Sequence, residues 1–97
     1  MHIVSRRRLK EFWEKEKEAE KPLDAWYRTA KKANWKSIAD VREIYPHADL
    51  VGGCVIFNIG GNKYRLITKF GFLKKTVYIK FVLTHKQYDK AAWINEC

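Results

Sequence analysis

The sequence predicts an α+β domain: a short N-terminal strand and a helix hairpin packed on an antiparallel sheet, with a short C-terminal helix. Three observations lead there. Apolar residues recur at helical spacing from Leu9 to Ala33. After Gly52-Gly53 they recur at every second position, from Val55 to Leu83. The chain is 97 residues long, which allows one domain over residues 1–97 and one small core.

Each element has its own local cause. Ile3 and Val4 read as a first strand, and Ser5 as a helix N-cap. Leu9, Phe12, Trp13 and Ala19 place a first amphipathic helix over 6–19. The run Glu11 to Glu20 interleaves glutamates and lysines, which suits a solvated helix face with i,i+4 pairs. Pro22 fits the first turn of a second helix over 22–33. Its apolar side holds Leu23, Trp26, Tyr27, Ala30 and Ala33, which read as core. Residues 34–53 are weakly periodic, and Pro46 breaks any helix there.

From Cys54 the period becomes two. Cys54–Ile59 and Tyr64–Phe70 form a hairpin around Gly60-Gly61-Asn62. Val77–Leu83 follows as a third strand, and Thr84 caps a last helix containing Tyr88, Ala91, Ala92 and Trp93. Alternation sends Val55, Phe57, Ile59, Tyr64, Leu66, Thr68, Phe70, Val77, Ile79, Phe81 and Leu83 towards the helices. It leaves Asn58, Arg65, Lys69, Tyr78 and Lys80 on an open second face.

Charge bears on partners and not on the fold. The net charge is +9. Residues 63–97 hold 8 basic and 2 acidic residues, against 12 and 9 before them, so most of the excess lies in the second part. That makes an acidic small molecule a poor main ligand and raises nucleic acid. An open sheet face with cations and an aromatic ring suits RNA, where cations meet phosphate and rings stack on bases. A plain solvated face fits the same residues. His85 and Tyr88 are one helical turn apart beside that face, either as an acid–base pair or as a cap and a packing residue.

Other classes are excluded quickly. No apolar run approaches the ~20 residues of a membrane span. No apolar stretch follows the basic start, so no secretory signal is expected, and the cytoplasm is. Cys54 and Cys97 are too few for a disulfide framework and lie in no CxxC. The histidines share no metal-ligand spacing, so neither metal nor other cofactor is expected.

The segment Val55-Ile56-Phe57-Asn58-Ile59-Gly60-Gly61-Asn62-Lys63-Tyr64-Arg65-Leu66, with Phe81-Val82-Leu83-Thr84-His85-Lys86-Gln87-Tyr88-Asp89, is specific. It closely resembles the HigB family of bacterial toxins, within the RelE-like superfamily. Met1–Ser5 and Val41–Asp49 resemble the same family, so the likeness spans nearly the whole chain. The resemblance implies a RelE-like fold and a bacterial type II toxin. Its activity would be that of an mRNA interferase working on translated mRNA at the ribosome. Its partner would be a HigA-like helix-turn-helix antitoxin.

The resemblance also implies site roles. Metal-free RNA cleavage uses the 2′-OH as nucleophile, a base for its proton, an acid for the leaving 5′-oxygen, and cations for the phosphorane. Arg65 matches the strand arginine that meets the scissile phosphate. His85 and Tyr88 match the acid–base positions after the last strand, with the division between them left open. Asn58, Lys69 and Lys80 are candidates for positioning RNA, as are Asn62, Lys63 and Lys86 in and beyond the turns. A non-catalytic RNA- or ribosome-binding module would use the same face without proton transfer. A protein whose charge serves only an acidic partner is a third reading.

Overall fold

A computed structural model describes residues 1–97. The elements run β1 (His2–Val4), α1 (Arg6–Lys15), a 3-10 turn (Lys17–Ala19), α2 (Glu20–Lys32), α3 (Ile38–Ile44), β2 (Asp49–Val51), β3 (Cys54–Ile59), β4 (Tyr64–Gly71), β5 (Thr76–Thr84), α4 (His85–Asp89) and a terminal 3-10 turn (Ala92–Glu96). The five strands form one sheet in the order β1-β5-β4-β3-β2. All neighbours are antiparallel except β1 and β5, which run parallel. The helices carry the chain over one face from β1 to β2 at the opposite edge, and the β2-β3-β4-β5 meander returns it to lie beside β1.

That face carries the main core. Leu9 and Trp13 of α1, Leu23, Trp26 and Ala30 of α2, and Val41 of α3 pack on Val55, Phe57, Leu66, Val77 and Ile79. Trp26 meets Phe57 edge-on, with ring centroids 5.3 Å apart, a favoured aromatic geometry. Thr68 is fully buried in this layer, and its hydroxyl donates to the Val55 carbonyl at 2.8 Å. The burial is tolerated because the polar atom is satisfied.

Several expectations change. The predicted helix 6–19 is interrupted after Lys15, and its last part is the 3-10 turn. The second helix begins two residues before Pro22, which sits in its first turn as expected. Ser5 stands at the N-cap position, but its side chain makes no capping bond. The glutamate–lysine run forms no internal ion pair: Glu11 pairs with Arg7 and Glu18 with Lys63. Residues 34–53 hold α3 and β2, both short enough to leave little periodicity. Gly52 and Gly53, at φ of 63° and 133°, join β2 to β3 as a two-residue hairpin, where a side chain would strain the backbone.

The largest change is on β5. Thr68 pairs with Ile79 and Ile67 pairs with Phe81, so Lys80 is an extra, bulged residue. One extra residue inverts all that follows. Val82 therefore joins the helix side, while Phe81 and Leu83 turn to the other face. There they meet Cys54, Ile56, Ile67 and Trp93 in a second, smaller core. The chain thus has two apolar clusters, one on each sheet face, and the second face is open only in part.

The C-terminal segment makes that cover. Thr84 caps α4 through a capping box: its hydroxyl accepts from the Gln87 N–H, and the Gln87 side chain accepts from the Thr84 N–H. The helix does not continue to Trp93. Ala91 is left-handed (φ 59°), so the chain turns back over the sheet. Cys97 then reaches Cys54 and forms a disulfide with it, across a sequence separation of 43. Two cysteines too few for a framework are nevertheless joined, because β3 and the chain end become neighbours only in the fold. No helix is long and apolar enough to cross a membrane.

Candidate ribonuclease site

Three features converge where the β3–β4 loop meets the end of β5. Tyr64 pairs with Thr84 and Arg65 with Leu83, which sets the start of α4 beside the start of β4. The His85 N–H donates to the Lys63 carbonyl at 3.1 Å, tying the first residue of α4 to the loop. On the other side of β4, Asn58 is the direct partner of Arg65. Arg65, His85, Tyr88, Asn58 and Asn62 are therefore brought to one end of the partly open face.

Arg65 is half-buried. One guanidinium nitrogen donates to the carbonyls of Asn62 (3.1 Å) and Tyr64 (3.2 Å), and the guanidinium carbon lies 5.2 Å from the Tyr88 ring centre. The cation is thus oriented by backbone and ring, and no carboxylate neutralises it. An arginine preset in this way can meet a phosphate without first giving up an acidic partner.

His85 is exposed, and its Nδ1 lies 3.2 Å from a carboxylate oxygen of Asp89, one turn on. The carboxylate favours a proton on Nδ1, which leaves Nε2 as the lone-pair nitrogen. Tyr88 is half-buried, with Trp93 behind it and Arg65 above it. The site thus offers an oriented cation, an imidazole with a carboxylate beside its Nδ1, and a phenol.

The other predicted residues divide. Lys63 is drawn to the helix layer, where its Nζ lies 2.7 Å from Glu18. The hydrogen bond and the opposite charge raise the Lys63 ammonium above its ordinary range and lower the Glu18 carboxyl. Lys86 is exposed on α4. Lys69 and Lys80 do not join Arg65. Lys69 lies four residues further along β4, and Lys80 sits in the bulge against α1. The sequence reading missed Asp89 and Trp93 as supports. The i,i+4 spacing of His85 and Asp89 was a readable signal, but the reach of Trp93 depends on the turn at Ala91, which leaves none.

Residues 19–91 match the family described as HigB_toxin, the RelE-like toxic component of a toxin–antitoxin system. Over 92 residues the chain is 30% identical to the mRNA interferase toxin HigB of Escherichia coli strain K12, covering 92% of this chain and 88% of that protein. The mRNA interferase HigB of Shigella flexneri is similar to the same degree over the same shares. That of Escherichia coli O6:H1 (strain CFT073) is 27% identical over 93 residues, covering 93% and 90%. With three quarters of its length inside the family match, and with the α+β fold that the resemblance implied, the chain belongs to the HigB family of RelE-like toxins.

Proposed function

We propose that the protein is the toxin of a type II toxin–antitoxin pair and acts as an mRNA endoribonuclease. It works in the bacterial cytoplasm on mRNA being translated by the ribosome, and a HigA-like helix-turn-helix antitoxin neutralises it. The relatives named as mRNA interferases support the activity. The observation that carries the site is the grouping of Arg65, Tyr88 and His85.

In the proposed reaction, His85 Nε2 removes the proton of an RNA 2′-OH. The 2′-oxygen forms a bond to phosphorus, and the bond to the 5′-oxygen breaks. The Tyr88 hydroxyl gives its proton to that leaving oxygen, and a 2′,3′-cyclic phosphate remains. Arg65 faces the charge that grows on the phosphorane oxygens, where a preset donor is worth most. Asp89 holds the imidazole tautomer, and Asn58 borders the same ground from β3.

Induction of the protein in bacteria without antitoxin tests this reading. Growth should stop and mRNA should fragment within translated regions. Normal growth with intact transcripts would overturn it. A substrate with sulfur in place of the leaving 5′-oxygen, which needs no acid, should rescue Tyr88→Phe and not His85→Gln. Equal rescue of both would reverse or remove the assignment.

A further inference from the structure

The Arg6-Arg7-Arg8 run at the start of α1 takes no part in the centre around Arg65. Arg6 lies 5.4 Å from the rings of Trp13 and Tyr27 and 3.7 Å from Asp24. Arg7 pairs with Glu11 at 3.3 Å. Arg8 instead crosses to β5, where it donates to the Lys80 carbonyl at 2.9 Å. Two adjoining hollows share Arg8 and Lys80 as a wall. One, about 370 Å³, is lined also by Lys69 and Tyr78. The other, about 600 Å³, continues along α1 past Arg7 to Lys15.

Arg8, Lys15, Lys69 and Lys80 have no carboxylate within ion-pair distance. The one carboxylate on these walls, Glu11, is already held by Arg7, so these four cations repel one another and an external polyanion relieves that. Tyr78 adds an apolar element: it is 40% exposed, on a strand whose flanking Val77 and Ile79 are buried. Cations beside an exposed ring match a nucleotide chain, with phosphates on the cations and a base on the ring. An acidic extended peptide fits less well. The β5 edge it would pair with has its Lys80 carbonyl already taken by Arg8.

We propose that this double hollow is a second RNA subsite, separate from the scissile phosphate. Tyr78 stacks one base, and Arg8, Lys69 and Lys80 hold the flanking phosphates. Arg65 and Lys69 lie on the same face of β4, ~13 Å apart along the strand at the usual rise. One RNA strand can therefore cross from the cleavage centre to the subsite. The proposal rests on the ribonuclease reading and adds where the rest of the strand is held.

The test uses the full chain and a single-stranded RNA with 2′-O-methyl groups, which binds without being cut. Fluorescence anisotropy is read across salt concentrations, and cleavage of unmodified mRNA on programmed ribosomes is measured in parallel. Tyr78→Ala should weaken binding by about tenfold or more. Lys69→Gln, or Lys80→Gln with Arg8 intact, should flatten the slope of log K against log salt by about 0.7 for each phosphate no longer held. Cleavage at saturating RNA should hold while KM rises. Wild-type affinity and slope in all three variants, with cleavage intact, would overturn the subsite alone. Absence of RNA binding together with absence of cleavage on programmed ribosomes in the wild type would overturn both readings. Unchanged RNA binding with lost binding of a poly-glutamate peptide would give the surface to a protein partner and also overturn the proposal.

Discussion

The indole of Trp93 lies flat on the ring of Tyr88, with centroids 5.0 Å apart and planes 14° apart, and its Nε1 donates to the Tyr88 carbonyl at 3.0 Å. Trp93 itself is 6% exposed and rests on Ile56 and Ile67. Tyr88 is therefore set by the small core on the second sheet face.

Trp93→Ala should destabilise the fold by about 3–5 kcal/mol, since it empties the centre of that small core. Cleavage should also fall, measured at a temperature where the variant remains folded by circular dichroism. Trp93→Phe keeps the packing but loses the N–H donor, and should recover most of the stability. Equal activity of Trp93→Ala and wild type at that temperature would show that Tyr88 needs no backing.

Arg65→Ala should lower the cleavage rate by ~10²–10³-fold, the usual effect of removing one preset donor from a developing anion. The fold should persist, because the side chain is half-buried and bonds only to two nearby backbone carbonyls. Thermal melting beside single-turnover cleavage separates the two effects.

Asp89→Asn should lower cleavage less than His85→Gln does, and should leave RNA affinity unchanged. The carboxylate acts only through the imidazole, at 3.2 Å. The pH dependence of the single-turnover rate is the deciding measurement. A profile superimposable on that of the wild type would remove Asp89 from the mechanism.

Lys63 and Glu18 give a prediction with a definite sign. The hydrogen bond to Lys63 and its charge lower the Glu18 carboxyl, so its contribution is present above the ordinary carboxylate value. It is lost as pH falls through the lowered one. The Lys63 ammonium is raised, so its share is present below the ordinary lysine value and lost as pH rises through the raised one. Near neutral pH the pair is closed and holds the Lys63 ammonium at Glu18. Lys63→Gln should therefore weaken RNA binding less than Lys69→Gln, and Glu18→Gln should tighten it. NMR titration of the Glu18 carboxyl checks the direction.

The Cys54–Cys97 link closes a loop with a sequence separation of 43. Chain-entropy reasoning puts its stabilisation at up to about 4 kcal/mol. Cys97→Ser should lower the melting temperature accordingly. Addition of reductant should lower that of the wild type but not that of the variant.

What was legible in the sequence was whatever depends on local period. The hairpin around Gly60-Gly61, the helices of α1 and α2, and the Thr84 cap with Gln87 three residues on all carry local signatures. The faces of β3 and β4 follow from alternation. The face of β5 does not, because the bulge at Lys80 needs one partner residue too few on β4, which is a property of pairing and not of β5 alone. For the same reason alternation misplaces Lys80, which the fold sends to α1, whereas Lys69 keeps the face it shares with Arg65 and lies four residues along β4, opposite Tyr78. The short α3 and β2 offer too few turns or alternations to show a period. Arg65 follows from alternation and the His85–Tyr88 pair from one-turn spacing, the resemblance adds their roles, and their grouping follows from the pairing of Tyr64 with Thr84.

The disulfide also divides the molecule in an unexpected way. Everything from β3 to the chain end is a covalent ring, and β1, α1, α2, α3 and β2 form a tail attached to it. Arg65, His85, Tyr88, Tyr78, Lys69 and Lys80 all belong to the ring, while Arg8 reaches it from the tail. A single backbone cut at the exposed Leu73–Lys75 turn would open the ring without releasing a fragment. Both halves of the cleavage centre would stay tethered through Cys54 and Cys97.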